Sequence, residues 1–287
     1  MMTFENRIVQ EDLKGIISAS YLNLEKLRGK TVLITGVSGM LATYLAYTIY
    51  YLNVHENFQT KIIGTARNME KATAKFQNLS KEYFELIQHD VTEPLEYEGA
   101  IDYIIHAASN ASPKFISTDP VGIIKANTLG TMNLLELSRK KTIQNFLFLS
   151  TREIYGKSIK NSLTEQDYGG FDILSPRACY PESKRMAETL LESYAVQYKI
   201  PYTVARIAHS YGPGMEVNND GRIMSDLISN VVNSEDIILK SEGTVERAFC
   251  YLSDATTALL TILLNGDSGQ AYNVANEDEP IQIRDLA

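Results

Sequence analysis

The segment Thr31-Val-Leu-Ile-Thr-Gly36-Val-Ser-Gly39-Met-Leu-Ala42 decides the fold of this chain. Its aliphatic and β-branched run ends at Gly36, and a helical pattern begins within a few residues. This pattern predicts a buried parallel strand that turns sharply into a helix. Gly36 permits the tight turn, and the small Ala42 allows the helix to pack closely on the strand.

The first turn of that helix is the predicted binding site for a pyrophosphate. Gly39 has no Cβ to keep a phosphate away from the backbone, and Ser38, Met40 and Leu41 flank it. The N–H groups at this end have no partner within the helix, and the helix dipole adds positive potential. Two glycines are common in strand-to-helix turns, so the meaning of this spacing depends on the residues that follow.

The composition narrows the class of protein. The 287 residues, 44% of them hydrophobic, suffice for one large core with a smaller appended lobe. A net charge of −8 argues against a dedicated nucleic-acid binder. Cys179 and Cys250 are the only cysteines and the histidines lack ligand spacing, so we expect neither disulfides nor a metal site. The sequence has no apolar run of membrane-span length and no signal-peptide core, which predicts a cytoplasmic protein.

Strands alternate with helices along most of the chain, which predicts an α/β fold with a doubly wound parallel sheet of Rossmann type. We expect an N-terminal helical extension at 1–29, a dinucleotide-binding domain at 30–210 and a smaller substrate-binding lobe at 211–287. The last residues resemble the start of a further helix, so we expect the lobe to be incomplete. Beyond the first strand, the pattern predicts strands at 61–66, 84–89, 101–107, 145–150, 202–207, 237–240 and 271–275, and helices at 11–27, 39–53, 68–78, 119–140, 180–198, 222–233 and 254–264.

The residue that follows the second strand bears on the choice of cofactor. In dinucleotide folds an acid there favours NAD, whereas an arginine accommodates the extra phosphate of NADP. This chain has Arg67 at that position and no acid. Arg67 either binds a 2′-phosphate or is a solvated residue at the start of a helix. NAD is the predicted cofactor, with NADP as the alternative that Arg67 leaves open.

The third and fourth strands end in residues suited to the flat parts of a dinucleotide. Asp90, followed by Val91, either accepts a hydrogen bond from the adenine amine or caps a turn. Ala107, Ala108 and Ser109 are small, as a backbone lying against a flat cofactor requires. We expect all of these residues to contact the cofactor.

Two further segments carry the chemistry of the predicted site. One is a strand that ends in Thr151 followed closely by Glu153, and the other is Tyr180-Pro-Glu-Ser-Lys184 at the start of a helix. Tyr180 and Lys184 lie about one helical turn apart on the same face. An ammonium close to a phenol lowers the pKa of the phenol, so Tyr180 is the predicted general base. Thr151 is then placed to hold the substrate hydroxyl, and Lys184 to hold the nicotinamide ribose.

Several longer stretches carry a family resemblance. The chain resembles the extended short-chain dehydrogenases/reductases, a superfamily of nucleotide-sugar epimerases, dehydratases and decarboxylases. Within it, the likeness is greatest to the UDP-glucuronate decarboxylases, and it spans roughly 30–285. The stretches are His89-Asp-Val-Thr-Glu-Pro94, His106-Ala-Ala-Ser-Asn-Ala-Ser-Pro113, Asn127-Thr-Leu-Gly-Thr131 with Asn133, Ser150-Thr-Arg-Glu153, Pro176-Arg-Ala-Cys-Tyr-Pro-Glu-Ser-Lys-Arg185, Tyr211-Gly-Pro213, Asp220-Gly-Arg222 and Arg247-Ala-Phe-Cys-Tyr251.

The resemblance implies roles for individual residues. Tyr180 matches the base of the family, Lys184 its partner, and Thr151 the ligand of the substrate hydroxyl. Glu153 matches an acid near the reacting ring, so the implied catalytic set is Thr151, Glu153, Tyr180 and Lys184. The implied substrate-binding residues are Ser112, Thr151, His209, Arg222 and Arg247, and Asn127 matches an asparagine beside the active-site cluster, here assigned to the cofactor side.

The chain departs from the family pattern at two places. The family usually has a small residue or Asp between the Thr and the Glu, where this chain has Arg152, which argues against 4,6-dehydration. The family motif Arg-x-x-Asn here reads Arg206-Ile-Ala-His209, which changes an expected substrate contact. We expect redox-assisted decarboxylation of a nucleotide-linked sugar acid. The alternatives are a C4 epimerase, a 4,6-dehydratase, a 4-keto reductase or a non-catalytic dinucleotide-binding sensor.

The expected partners are a nucleotide-sugar substrate and a second copy of the chain, with no nucleic acid and no membrane. In the relatives that the chain resembles, two long helices of each subunit form a four-helix contact, here 119–140 and 180–198. The alternative is that the apolar faces of these helices belong to the core of a single subunit. The predicted seam consists of Ile123, Leu134, Leu137, Met186, Leu190 and Tyr194.

Overall fold

A computed structural model describes residues 2–158, 160, 162–217, 220–239 and 241–287. The strands are β1 (Thr31–Thr35), β2 (Lys61–Ala66), β3 (Phe84–Gln88), β4 (Tyr103–His106), β5 (Asn145–Thr151), β6 (Tyr202–Ile207), β7 (His209–Tyr211), β8 (Glu246–Arg247), β9 (Phe249–Tyr251), β10 (Gln270–Val274) and β11 (Ile281–Gln282). The helices are α1 (Arg7–Ile17), α2 (Met40–Glu56), α3 (Met69–Phe76), α4 (Pro113–Thr118), α5 (Pro120–Arg139), α6 (Cys179–Tyr198), α7 (Ile223–Asn233), α8 (Leu252–Asn265) and α9 (Ile283–Leu286). Short 3₁₀ helices lie at Leu24–Leu27, Arg152–Tyr155 and Pro176–Ala178.

The central sheet has the strand order β10-β6-β5-β4-β1-β2-β3 in the described part of the chain, and its strands are parallel. The order reverses at β1, because the chain first moves outward to β3 and then crosses back to place β4 on the other side. Ligands of open α/β sheets bind outside the carboxyl ends of the strands at such a switch point. The prediction of a doubly wound α/β fold is confirmed.

Alternating residues of β1 feed two separate cores, one on each face of the sheet. Val32 and Ile34 join the core covered by α2 and α8, whereas Leu33 joins the core covered by α5 and α6. All three side chains are fully buried. Burial on both faces explains why the strands read as continuous apolar runs in the sequence.

The helices α5 and α6 pack against each other over one face of the sheet. Ile123, Leu134 and Leu137 of α5 are at most 4% exposed, so they belong to the core of the single chain. Their predicted place in a dimer seam is wrong, because they point inward rather than at a free surface. On α6, Met186 is 51% exposed, whereas Leu190 and Tyr194 pack partly against the core.

The N-terminal helix begins earlier than the periodicity predicted. The side chain of Asn6 accepts hydrogen bonds from the backbone N–H groups of Ile8 and Val9, which fixes the start of α1. The helix ends at Ile17, and the apolar pattern that continues to Leu27 belongs to a separate 3₁₀ turn. The buried side of α1 packs on α2 and α8.

Part of the C-terminal segment returns to the central sheet. The strand β10 pairs with β6, and α8 packs against α2, β5 and β6. The predicted strand at 237–240 is absent from residues 237–239, where Ile238 is 80% exposed, and residue 240 lies outside the described residues. The small sheets β7–β9 and β8–β11 and the helix α7 make up the rest of the segment. A division of the chain at residue 210 stays a prediction.

Candidate active site

A cleft of about 760 Å³ lies at the carboxyl ends of the central strands. It is lined by the glycine turn before α2, the ends of β5 and β6, the starts of α4 and α6, and parts of the segment after residue 210. Of the site residues predicted from the sequence, the structure places in this lining Ser38, Gly39, Met40, Leu41, Ala107, Ser109, Ser112, Thr151, Glu153, Tyr180, Lys184, His209, Arg222 and Arg247. The others, Gly36, Arg67, Asp90, Val91, Ala108 and Asn127, are not part of it.

The glycine turn is sharp, and hydrogen bonds hold it in place. Gly36 has φ of +61°, and a Cβ there would lie 2.7 Å from the Cα of Ala108, so only glycine fits. The hydroxyl of Thr43 donates to the carbonyl oxygens of Val37 and Gly39 at 2.9 and 2.7 Å, which fixes the turn. Gly39 caps α2 without a side chain, so the first N–H groups of the helix face the cleft free for an anion.

A buried lysine beneath this turn was missed by the sequence reasoning. The ammonium of Lys75 donates to the carbonyl oxygen of Ser38 at 2.8 Å and lies 3.4 Å from the hydroxyl of Thr43. Burial, with a smaller contribution from the charge of Lys71, lowers the pKa of Lys75 to about 8. Both lysines line the cleft. Only its position in the sequence could have indicated this role: Lys75 is three residues after the buried Ala72, so it lies on the inner face of α3.

Arg67 and Asp90 lie next to each other outside the cleft lining. The Arg67 side chain is 60% exposed, and its Nη1 is 3.7 Å from Oδ2 of Asp90. Asp90 also accepts hydrogen bonds from the backbone N–H and the hydroxyl of Thr92, at 3.0 and 2.9 Å. Burial works against ionisation, but these hydrogen bonds and the charge of Arg67 lower the pKa of Asp90 below its usual value. The structure therefore shows Asp90 as a turn cap and Arg67 as a solvated residue beside it, and their contacts with a cofactor stay predictions.

Asn127 supports the helix that carries Tyr180 rather than lining the cleft. Its Nδ2 donates to Oγ of Ser183 at 2.9 Å, and that hydroxyl donates to the carbonyl oxygen of Tyr180 at 3.1 Å. The Asn127 side chain is fully buried. Val91 is also buried, against Gly130 of α5. Both residues were predicted on the cofactor side, and the structure places them behind it.

Tyr180 and Lys184 are buried at the base of the cleft. The ammonium of Lys184 donates to the carbonyl oxygen of Leu149 at 2.7 Å and lies 4.5 Å from the centre of the Phe148 ring. Burial lowers the pKa of Lys184 to about 7. Burial also raises the pKa of Tyr180 to about 12, although a hydrogen bond with Thr151 works in the opposite direction.

The expected lowering of the Tyr180 pKa by Lys184 is therefore wrong for the protein alone. The loss of hydration outweighs every favourable charge around the phenol. Tyr180 is protonated at neutral pH and is set up to donate a hydrogen bond. A cation bound in the cleft would favour the phenolate and so restore the function of a base.

A short 3₁₀ turn fixes the position of Glu153. The hydroxyl of Thr151 accepts from the backbone N–H of Glu153 at 3.2 Å. The Glu153 carboxylate accepts from Nη2 of Arg177 at 2.7 Å. Arg177 also lines the cleft and was not assigned from the sequence, although the stretch Pro176-Arg-Ala-Cys-Tyr180 was informative.

Part of the segment after residue 210 lines the cleft, and it contains a second ion pair besides Arg177 and Glu153. Arg222 pairs with Asp220, whose carbonyl oxygen accepts a hydrogen bond from Oγ of Ser112 at 2.9 Å. This contact joins the start of α4 to the loop before α7. Ser112 and Arg222 therefore line the cleft together, and their contact with a substrate stays a prediction.

Two arginines on the cleft wall differ from Arg177 and Arg222 because they have no carboxylate partner. Nη2 of Arg152 lies 3.1 Å from Nε2 of His209, and Nη1 of Arg247 donates to a backbone oxygen at 2.9 Å. Among the described residues neither arginine forms an ion pair. The alternative that Arg247 pairs with Asp254 is therefore not realised in this structure.

The sequence model of the NAD dependent epimerase/dehydratase family matches residues 32–275. The chain belongs to this family. Membership confirms the prediction of an NAD-dependent enzyme of the epimerase/dehydratase type, with NAD as its cofactor. It also accounts for the glycine turn and for the paired tyrosine and lysine at the other end of the cleft.

Named relatives in this family support the resemblance seen in the sequence. The chain is 36% identical over 253 residues to UDP-glucuronic acid decarboxylase 6 of Arabidopsis thaliana, covering 86% of this chain and 70% of that protein. It is 37% identical over 254 residues to UDP-glucuronic acid decarboxylase 1 of Xenopus tropicalis, covering 87% of this chain and 57% of that protein.

Solved structures of epimerase/dehydratase enzymes share the fold. A UDP-glucose 4-epimerase of Thermotoga maritima with UDP-glucose superposes with a TM-score of 0.74 at 22% identity, covering 89% of this chain and 80% of that one. A dTDP-glucose 4,6-dehydratase of Bacillus anthracis in complex with NAD superposes with a TM-score of 0.73 at 20% identity, covering 90% and 78%.

Two further features of this epimerase/dehydratase chain complete the description. In the described ranges no group of three or more His, Cys, Asp or Glu side chains is arranged to hold a metal ion. No helix in those ranges combines the length and the apolar character needed to cross a bilayer.

Proposed function

We propose that the protein oxidises the C4 hydroxyl of a nucleotide-linked sugar acid and decarboxylates the resulting ketone, as a UDP-glucuronate decarboxylase does. One observation carries the proposal: Thr151, Tyr180 and Lys184 are buried together in the same cleft that the glycine turn lines. This arrangement suits a hydroxyl held at one end of the cleft and a dinucleotide anchored at the other. The named relatives support the choice of substrate class.

The reaction needs little more than proton handling and positioning from the protein. NAD, when bound, accepts the hydride from C4 and later gives it back. Thr151 holds the C4 hydroxyl, and Tyr180, as the phenolate that the positive charge of bound NAD would favour, takes its proton through the phenolic oxygen. With a ketone at C4, the bond between C5 and the carboxylate breaks, CO₂ leaves, and the electron pair is delocalised into the ketone. A proton is then added at C5, and Tyr180 returns its proton to the C4 oxygen as the ketone is reduced.

The remaining site residues are proposed to bind and orient ligands. Glu153, held by Arg177, lies near the reacting ring, and Lys184 holds the nicotinamide ribose. Ser112, Arg222, His209 and Arg247 are proposed to contact the substrate, since all four side chains line the cleft. In an acidic protein, local arginines are the groups suited to recruit an anionic nucleotide.

C4 epimerisation with the carboxylate retained is the second candidate, and one observation favours it. Arg152 is close to Tyr180, and Arg247 is close to Arg152. A carboxylate held by these two guanidinium groups would be stabilised as the anion. Loss of CO₂ removes that charge, so strong binding of the ground state would oppose decarboxylation.

Mass spectrometry of the reaction with UDP-glucuronate and NAD tests the proposal. Decarboxylation predicts a UDP-pentose that is lighter by CO₂. A product of unchanged mass but altered chromatographic mobility would replace it with epimerisation. Absence of any conversion across a panel of nucleotide-linked sugars and sugar acids would contradict both candidates.

We also propose that the protein forms a homodimer through α5 and α6, although not through the residues first predicted. Val121, Ile124 and Met132 of α5 are exposed, and Met186 is exposed on α6. Their spacing puts the α5 residues on one outward stripe, which a second copy could cover. Light scattering should give the mass of a dimer, and Met132→Glu should shift it to that of a monomer. A monomeric wild-type protein at micromolar concentration would rule this out.

The proposed location is the cytoplasm. Cys179 and Cys250 are both buried free thiols, which suits a reducing compartment. Fractionation of cells that produce the protein would test the proposal, and recovery in an extracytoplasmic fraction would contradict it.

A further inference from the structure

The two departures from the family pattern contact each other in the structure. Arg152 follows the last residue of β5, and His209 begins β7, so the two are 57 residues apart in sequence. Their side chains nevertheless meet at 3.1 Å between Nη2 and Nε2. Arg247 lies close by, because β7 pairs with β9 and sets His209 opposite Phe249.

Neither arginine of this cluster forms an ion pair in the described part of the chain, although the charge of Glu153 acts on Arg152. Burial lowers the pKa of His209 to about 3, and the nearby Arg152 and Arg247 lower it further, so the imidazole is neutral at physiological pH. Burial lowers the pKa of both arginines from the usual value, and the charge of Arg152 adds to this at Arg247. Two cations and a neutral ring therefore face the cleft.

The lack of a counter-ion is not a general property of the arginines that line this cleft. Arg177 is held by Glu153 and Arg222 by Asp220, so each carries its own counter-ion. Arg152 and Arg247 have no such partner in the described part of the chain. Arg152 is exposed and Arg247 is half-buried, so both guanidinium groups are open to the cleft and can each donate paired hydrogen bonds to an anion that enters it. The cluster is thus a preformed anion site.

The position of Arg152 defines where on the substrate that anion must be. Arg152 directly follows Thr151, and it is close enough to Tyr180 for the phenol to influence the ionisation of the guanidinium. Thr151 and Tyr180 are proposed to hold the C4 hydroxyl. A group that reaches Arg152 must therefore be attached to a ring carbon beside C4, whereas the diphosphate, attached at C1, is across the ring.

We propose that Arg152, together with His209 and Arg247, binds a carboxylate attached to the sugar carbon next to the one that is oxidised, and so selects sugar acids over neutral sugars. This inference rests on the proposed function, since it places the C4 hydroxyl at Thr151 and Tyr180. Arg152 contributes the planar fork that can donate two parallel hydrogen bonds to a carboxylate. His209 holds the guanidinium in place by accepting one of its N–H groups.

Equilibrium titration tests this inference. The protein carries Tyr180→Phe to prevent turnover, is loaded with NAD, and is titrated with UDP-glucuronate, UDP-glucose and UDP. UDP-glucuronate should bind about tenfold or more tightly than UDP-glucose, as expected for a charge-assisted pair. Adding Arg152→Gln should remove most of this preference and leave the affinity for UDP unchanged. Arg7→Gln, at an exposed arginine of α1, is the matched control and should change none of the affinities.

The possible outcomes separate this inference from the proposed function. Equal affinity for the two sugar nucleotides in the protein with Arg152 intact would overturn the inference, and this comparison needs no Arg152 variant to fold. Weaker binding of UDP in Arg152→Gln would also overturn it, since it would make the diphosphate the anion that is bound. If neither sugar nucleotide binds while NAD does, the proposed function fails and the inference fails with it.

Discussion

The substitution Lys75→Met tests whether the protein keeps a buried charge beneath the glycine turn at a cost in stability. Burial lowers the pKa of Lys75 from 10.5 to about 8, so its charged form is less favourable in the folded state than in the unfolded chain. At neutral pH, below both values, this difference amounts to about 3 kcal/mol. The variant also leaves the Ser38 carbonyl oxygen without this hydrogen-bond donor, which offsets about 1.5 kcal/mol of the gain. Lys75→Met should therefore raise the free energy of unfolding by about 1 to 2 kcal/mol.

The pH dependence follows from the same values. Between about pH 8 and 10.5 the unfolded chain binds more protons than the folded one, so wild-type stability gains from deprotonation of Lys75 as pH rises through this window. The advantage of Lys75→Met should shrink accordingly. The affinity for NAD should fall about tenfold, because the cleft loses a cation beside the turn.

Urea denaturation near neutral pH and near pH 10, with NAD titration of each variant, checks these expectations. Lys14→Met is the matched control for stability, since it makes the same change at an exposed helical position that neither lines the cleft nor acts on Lys75. Its free energy of unfolding should change little. A Lys75→Met protein that is less stable than wild type at neutral pH, with unaltered affinity for NAD, would refute the reasoning.

Three further substitutions test the site. Tyr180→Phe removes the transferable proton and keeps the ring, so turnover should fall roughly 100-fold or more with NAD binding intact; full activity would overturn the catalytic assignment. Gly39→Val places a branched side chain where the pyrophosphate is proposed to bind, so NAD titration should show no binding in a protein that still folds. Arg247→Lys keeps the charge but loses the fork, so KM for the substrate should rise; unchanged kinetics would remove Arg247 from the substrate contacts.

The sequence predicted the position of a residue well where that residue lies at the end of a recognisable strand or at the start of a recognisable helix. The alternation of strands and helices predicted the sheet, and the predicted strand at 202–207 matches β6 in both bounds. Thr151 and Tyr180 were found because each stands at the end or start of a recognisable element. Parallel strands end at the same edge of a sheet, so residues that follow them reach one cleft without further information.

Contacts between distant segments could not be predicted in this way. Arg152 and His209 meet only because β6 neighbours β5 and β7 pairs with β9, which no local pattern encodes. The dimer seam was misplaced because Ile123 and Ile124 are adjacent on α5, yet one is buried and the other exposed. A helix turns by about 100° at each residue, so a small error in phase exchanges the inner and outer faces.

The pKa values of the site residues could not be predicted from the sequence either. The spacing of Tyr180 and Lys184 suggested a lowered phenol pKa, but burial raises the pKa of Tyr180 to about 12. Burial depends on everything that packs around a residue, including Ile116 and Ile123, which share a buried cluster with Tyr180. A local sequence motif does not show which distant residues will pack around it. Thr151, Arg177 and Arg222 lower the Tyr180 pKa but do not outweigh burial, so we expect a bound ligand to supply the further charge that favours the phenolate.

The most direct test of the account follows the hydrogen at C4. UDP-glucuronate with deuterium at C4 is converted in the presence of NAD, and the product is analysed by mass spectrometry and NMR. The product should have lost CO₂ but keep deuterium at C4, because the hydride removed from that carbon returns to it. Conversion with complete loss of the deuterium to solvent, or no conversion of UDP-glucuronate by a protein that binds it together with NAD, would contradict the proposed oxidation at C4.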